Sequence, residues 1–254
     1  MNRFTSFLLS LPLLATVSLS AQDARPAASV LLRYSQEEGD VLHADALVRE
    51  RVFINGYFSH DAEIVESSVS RVLDVSPDGK ASLESEFITT ETIAGAPGYL
   101  DWVSSESVLL DRDELGRMDV PADAARPVLR DIPVFPGSPV LPGDRWSADA
   151  REVHVFRIGG ELWGPYSGAF PVSYLYEGEE TVNGRRLARI RIDYNLYLPI
   201  RRAGEPIRTV SGSSAQLLFW DIEAGEPVRK EESFEFAVLM SNGMGPGATS
   251  SWEP

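Results

Sequence analysis

The stretch that decides the fold is Ala188-Arg189-Ile190-Arg191-Ile192-Asp193-Tyr194-Asn195-Leu196-Tyr197-Leu198. Ala188, Ile190, Ile192, Tyr194, Leu196 and Leu198 fall on one parity, while Arg189, Arg191, Asp193 and Asn195 fall on the other. Successive side chains of a strand point to opposite faces, so this period of two predicts a β-strand with one dry side and one wet side. Outward from it the pattern recurs. Ala81, Leu83 and Phe87 alternate with Ser82, Glu84 and Glu86. Leu42, Ala44, Ala46, Val48, Val52 and Ile54 share a parity, as do Phe234, Phe236, Val238 and Met240. Beyond the first 21 residues no stretch holds a convincing helical period, so the chain reads as an antiparallel all-β protein.

Turn chemistry falls between these strands. Ser76-Pro77-Asp78-Gly79 and Asn183-Gly184 are hairpin signals, because Asp-Gly and Asn-Gly tolerate positive φ. Glu37-Glu38-Gly39-Asp40, Asn55-Gly56 and Glu223-Ala224-Gly225 are weaker ones. Between residues 121 and 142 stand Pro121, Pro127, Pro133, Pro136, Pro139 and Pro142, a density that excludes a central strand or a helix. Ile132, Val134, Phe135, Val140 and Leu141 are apolar within it, so this segment should cross between two β halves while packing along a surface. The expected organisation is residues 1–21 as a signal peptide, 22–120 as a first β half, 121–145 as the connecting segment, 146–242 as a second β half and 243–254 as a flexible tail. The halves would form a sandwich or a strongly curved sheet. An internal repeat is suggested by Val75–Leu83 set against Val182–Ile190, and by Leu109-Leu110-Asp111…Gly116 set against Phe219-Trp220-Asp221…Gly225. Unrelated hairpins can also look alike, so the repeat stays open at the sequence level.

The first residues read as an export signal. Arg3 supplies a positive charge, an apolar run extends from Phe7 to Val17, and Ser18-Leu19-Ser20-Ala21 offers small residues for cleavage after Ala21. The run is too short to span a bilayer, which takes about 20 apolar residues. The chain has no cysteine, which excludes a lipid-anchored lipoprotein and leaves an exported protein stabilised by burial without disulfides. Charge is strongly negative, with 38 acidic against 23 basic residues and a net −15. That balance opposes nucleic acid and anionic membranes, both of which need a basic surface. The arginines that do cluster, at 185, 186, 189, 191, 201 and 202, read as a solvated face paired with acidic neighbouring strands.

No constellation rises to a catalytic or cofactor signature. His43, His60 and His154 are isolated, without metal-ligand spacing, and read as ordinary strand or loop positions. Ser59-His60-Asp61 is not a triad, since adjacent residues of an extended chain point apart. With so many carboxylates, none forms a pair that stands out. Asp111-Arg112-Asp113-Glu114-Leu115-Gly116 resembles a calcium loop but lacks its third alternating ligand and closing glutamate, so a solvated turn is the plainer reading. The glycines of Gly243–Gly247 precede no helix that would hold a phosphate. Trp102, Trp146, Trp163, Trp220, Tyr99, Tyr166, Tyr174, Tyr176, Tyr194 and Tyr197 would fill a β core if buried, or line a groove for glycan or peptide if exposed. Pro142-Gly143-Asp144-Arg145-Trp146 should form a turn with the tryptophan packed back onto the sheet.

Two features together, Pro133–Trp146 and Tyr176-Glu177-Gly178-Glu179-Glu180-Thr181-Val182-Asn183-Gly184, resemble the β-rich N-terminal region of OmpA-like envelope proteins of spirochaetes and related uncharacterised exported proteins. The resemblance covers roughly residues 29–242 and rests on turn-like motifs. In such proteins a peptidoglycan-binding domain follows. No such domain lies within these 254 residues, so no functional residue is carried over. The resulting expectation is a non-enzymatic module in the periplasm or cell envelope of a Gram-negative-type bacterium, binding an envelope protein or wall component without a cofactor. A carrier of lipid or another apolar ligand, held in a curved-sheet cavity, is the alternative. An outer-membrane barrel is disfavoured by the proline segment and by the Trp252-Glu253-Pro254 ending.

Overall fold

The computed structural model describes residues 29–54, 57–94, 100–158, 161–201 and 204–240. The expected signal, the Asn55-Gly56 turn, Tyr99 and the tail lie outside these residues. Eleven strands follow one another: β1 (Val41–Ile54), β2 (Tyr57–Val75), β3 (Ala81–Ala94), β4 (Leu100–Arg112), β5 (Met118–Asp119), β6 (Leu129–Arg130), β7 (Arg145–Ile158), β8 (Glu161–Val182), β9 (Arg185–Pro199), β10 (Ile207–Asp221) and β11 (Glu226–Met240). They form two antiparallel meanders, β1-β2-β3-β4-β5 and β11-β10-β9-β8-β7-β6, each curled into a half-barrel. No helix long and apolar enough to cross a membrane is present among the described residues.

The alternation read from the sequence is the alternation of burial. In β9 every even residue from Ala188 to Leu198 is buried, and the intervening odd residues are exposed or, at Arg189, half-buried. In β3 Ala81, Leu83, Ser85, Phe87 and Thr89 are buried. The Asn183-Gly184 turn has φ values of 50° and 82°, both positive as a type I′ hairpin requires. The two halves keep separate cores. Val72, Leu83, Phe87, Val108 and Leu110 form the first with Val120. Tyr174, Tyr176, Ile190, Ile192, Val210 and Trp220 are central to the second. Of the two expected arrangements the strongly curved one is realised. The second sheet bends so far that His154 of β7 meets Phe236 of β11 edge-on at 5.7 Å, four strands away in sheet order. The halves also repeat a charged latch. Lys80, one residue past Gly79, pairs with Asp111 at 2.7 Å, and Arg185, one residue past Gly184, pairs with Asp221 at 2.8 Å.

The proline segment packs into the structure as its apolar residues predict: Val134, Phe135 and Val140 are buried, whereas Leu141 is exposed. Its prolines supply no N–H groups, so its carbonyls need donors from elsewhere. Arg130, itself buried, answers three of them, at Pro121, Ala124 and Pro127. Asp131 then ties the sheets together, accepting from the Met118 N–H of β5 at 2.6 Å and from Arg151 of β7 at 3.1 Å. The Trp146 ring stacks on Tyr174 at 5.2 Å and donates its indole N–H to the Val134 carbonyl, which is the packed-back tryptophan expected after the Gly143 turn.

At the centre of the joint Tyr34, Phe135 and Trp220 meet. Trp220 lies edge-on to each of the other rings at 4.7 Å, and Arg112 of β4 lies over Tyr34 at 4.0 Å. Gly116 lets this joint close: its φ is +98°, and a Cβ there would fall 2.1 Å from the Pro133 carbonyl oxygen. Gly184 has a similar φ of +82° but open space around it. Gly184→Ala should therefore cost about 1 kcal/mol, and Gly116→Ala roughly 3 kcal/mol, because only the latter must also push the connector away. Urea midpoints of the two variants measure the difference; equal losses would mean that the close approach carries no weight.

Candidate functional site

The inner face of the second sheet is apolar at both ends and polar in the middle. Parity places Ala148, Ala150, Glu152, His154 and Phe156 of β7 on this face, with Gly168 opposite Glu152 leaving room for the Leu198 side chain. Tyr194 of β9 reaches across the curl and donates to Glu152 Oε2 at 3.0 Å. Next to it, in register, stand Ser214 of β10 and the neighbouring Gln216–Glu232 pair. The Ser214 hydroxyl donates to Glu232 at 2.7 Å, Gln216 Nε2 donates to Glu232 at 3.1 Å, and Lys230 closes the chain on the other Glu232 oxygen at 2.8 Å. Phe156 stacks on His154, and Phe170 packs on Tyr194 at 4.8 Å. The curl brings these groups together from five strands.

Electrostatics sharpen the site. Glu152, Ser214 and Gln216 are each at most 5% exposed. Burial pushes the Glu152 carboxyl up to about 7, against the opposing pull of the Tyr194 hydrogen bond. Burial alone holds the His154 imidazole down at about 4. Burial, reinforced by Glu152 and Glu232, raises the Tyr194 phenol well above its ordinary range. His154 Nε2 stands 3.7 Å from Glu152 Oε1, beyond hydrogen-bond reach, and it has no hydrogen-bond partner among the described residues. Between about pH 4 and 7 the pair holds one proton, on the carboxyl. The arrangement can hold a proton on the Glu152 carboxyl, and it is shut inside the half-barrel.

Sequence reading missed this pair. In Arg151–Phe156 the parity that looks apolar is Val153 and Val155, which points Glu152 and His154 outward. Inner parity is instead set by Ala148 and Ala150 upstream; on the other parity Val155 is 38% exposed, although Val153 is buried. His154 is thus no ordinary strand position. His43 fits that description, exposed on β1, and Asp61, which follows His60, pairs with Arg51. The carboxylates of the Asp111–Gly116 turn are engaged locally: Asp111 with Lys80, Asp113 with the Leu115 and Arg117 N–H groups, and Glu114 with Arg33. Among the described residues no group of three or more His, Asp or Glu is placed to hold a metal ion. Four of the six clustered arginines are paired, Arg189 and Arg191 with Glu177, Arg186 with Glu179, and Arg185 with Asp221, whereas Arg201 is exposed without an ion pair among the described residues and Arg202 lies outside them. Of the aromatics, Tyr166, Tyr174, Tyr176, Tyr194 and Trp220 are buried, while Tyr197 is 71% exposed.

The buried pair makes opposite contributions to stability. Glu152 is raised above its ordinary 4.5, so its contribution is full below pH 4.5 and is lost as pH rises to 7. His154 is depressed below 6.5, so its contribution is full above pH 6.5 and is lost as pH falls to 4. Together they nearly cancel. His154→Phe should therefore leave a protein that loses on the order of 2 kcal/mol between pH 4.5 and 7, relative to wild type. Glu152→Gln should lose about as much in the opposite direction, from pH 6.5 to 4. Urea unfolding across that range checks both signs; parallel profiles for the two variants would rule out the coupled pair.

Comparison with protein-family models, with curated proteins and with solved structures finds no match to this chain.

Proposed function

We propose that the chain is an exported, non-enzymatic module of the bacterial envelope that works by binding, through the outer surfaces of its two curled sheets. One observation carries this reading: the concave side of the second sheet is filled by the protein's own side chains. His154 and Phe236 meet across it, Tyr174, Tyr176 and Trp220 are fully buried within it, and its central polar groups bond to one another. A carrier of apolar cargo needs an open apolar interior of the kind a larger or emptier barrel leaves. The outward faces, by contrast, carry large apolar side chains in contact with water, among them Leu47, Ile88, Val103 and Leu162, each more than half exposed. Exposed apolar groups of this size favour contact with a partner.

Export rests on the order of charge, apolar run and small residues in positions 1–21. Protein isolated from the periplasm of its own cell should begin at Gln22, as N-terminal sequencing reads directly. In native mass spectrometry it should carry no extractable lipid. A reproducible apolar mass, lost on denaturation, would replace the binding module with the carrier. An uncleaved N-terminus on cytosolic protein would remove the envelope from the proposal.

A further inference from the structure

The outer face of the second sheet has a trough of about 630 Å³ whose lining includes Asp193, Asn195, Ser213, Ala215, Ser233 and Glu235. Strand register explains why it is there. Asp193, Ala215 and Ser233 form one row across β9, β10 and β11, and Asn195, Ser213 and Glu235 form the next. Serine and alanine make a low floor, and the longer polar side chains rise around it. One row further, Tyr197 stands beside Ser211 and Ala237 and is 71% exposed. One row the other way, Arg191 is paired with Glu177. The trough's own polar groups differ from that neighbour. Asp193, Asn195, Ser213, Ser233 and Glu235 make no side-chain hydrogen bond or ion pair with any described residue, although they converge on one concavity.

The geometry points to this trough as a binding site for a neutral saccharide, with Tyr197 as the stacking platform and Asp193, Asn195 and Glu235 as hydrogen-bond partners for hydroxyls. The volume lies within the range of small-molecule sites. Polar and apolar groups share the lining about equally, so a purely apolar ligand would leave several donors and acceptors unpaired. Two carboxylates repel an anion, and no group of three or more His, Asp or Glu stands together among the described residues to hold a metal ion. A polyhydroxyl ligand satisfies both the carboxylates and the serines. Tyr197, exposed one row beyond the trough's lining, supplies the apolar contact that the faces of sugar rings need.

This inference rests on the binding-module reading and narrows it to the wall or surface glycan. Isothermal titration of the mature chain should use neutral oligosaccharides of four to six units built from N-acetylglucosamine, glucose and galactose. Polygalacturonate and a short lysine peptide serve as charged comparators. Saturable binding of at least one neutral glycan is expected. Tyr197→Ala should weaken it at least about tenfold, the equivalent of one good aromatic contact. Ala215→Tyr, which fills the floor and removes no polar group, should abolish it. Far-UV circular dichroism establishes that both variants are folded. The proposal falls if no neutral glycan binds at millimolar concentration, if only a charged comparator binds, or if a bound glycan ignores both substitutions. A protein partner crosslinked in intact cells, with no glycan bound, would sink the glycan site and leave the binding module standing. A co-purifying lipid with no glycan bound would remove both.

Discussion

The arrangement of this protein hangs on the contact of Tyr34, Phe135 and Trp220. Each ring comes from a different part of the chain: the segment before the first sheet, the proline-rich connector and the end of β10. The curled sheets have separate cores, so neither core can hold the other half in place. All three rings belong to the second core, and Arg112 of the first sheet joins it by lying over Tyr34 while it donates to Gln36. Buried aromatic pairs contribute about 1 kcal/mol each beyond the area they cover. Around them, backbone bonds from Tyr34 to Glu114 and from Phe135 to Leu115 thread two irregular segments beside the same turn of the first half.

The proline segment is the necessary companion of that joint. A connector with ordinary N–H groups could pair along a sheet edge and continue it, fusing the halves. Six prolines confine such pairing to the two-residue β6 on the edge of β7, and carbonyls of the segment are gathered by the buried Arg130 guanidinium. Asp131 carries the connection onward by serving β5 and β7 at once. The paired latches, Lys80 with Asp111 and Arg185 with Asp221, give both halves the same hairpin anchor at the segments whose sequences suggest a repeat.

The two faces of the second sheet do different things for a single reason. Curling compresses the inner face, so side chains from distant strands meet there, and any polar group among them must find a partner or change its protonation. Glu152 and His154 answer by settling near neutral, with one proton between them. The outer face is spread by the same curl. Side chains in neighbouring rows stand apart, and where β10 and β11 present serine and alanine a trough opens that its own strands do not fill.

The sequence by itself determined the strands, the turns between them, the division at the prolines and the pairing of most of the arginine face. Each of these is a local matter of period, φ preference or missing donors. It also carried the turn at Gly143 and the return of Trp146 to the sheet. It did not determine which parity of β7 faces inward, because Val153 and Val155 look more apolar than Glu152 and His154. Nor did the apolar parity of β11 guarantee burial: Phe234 and Val238 are more than a third exposed, since β11 is an edge strand. Curvature decided these points. How far a sheet curls depends on bulges, glycines and the packing of residues scattered over five or six strands, and no window of sequence contains that sum. The meeting of β7 with β11, the buried acid–base pair and the outer trough all follow from it, so only the tertiary structure could reveal them.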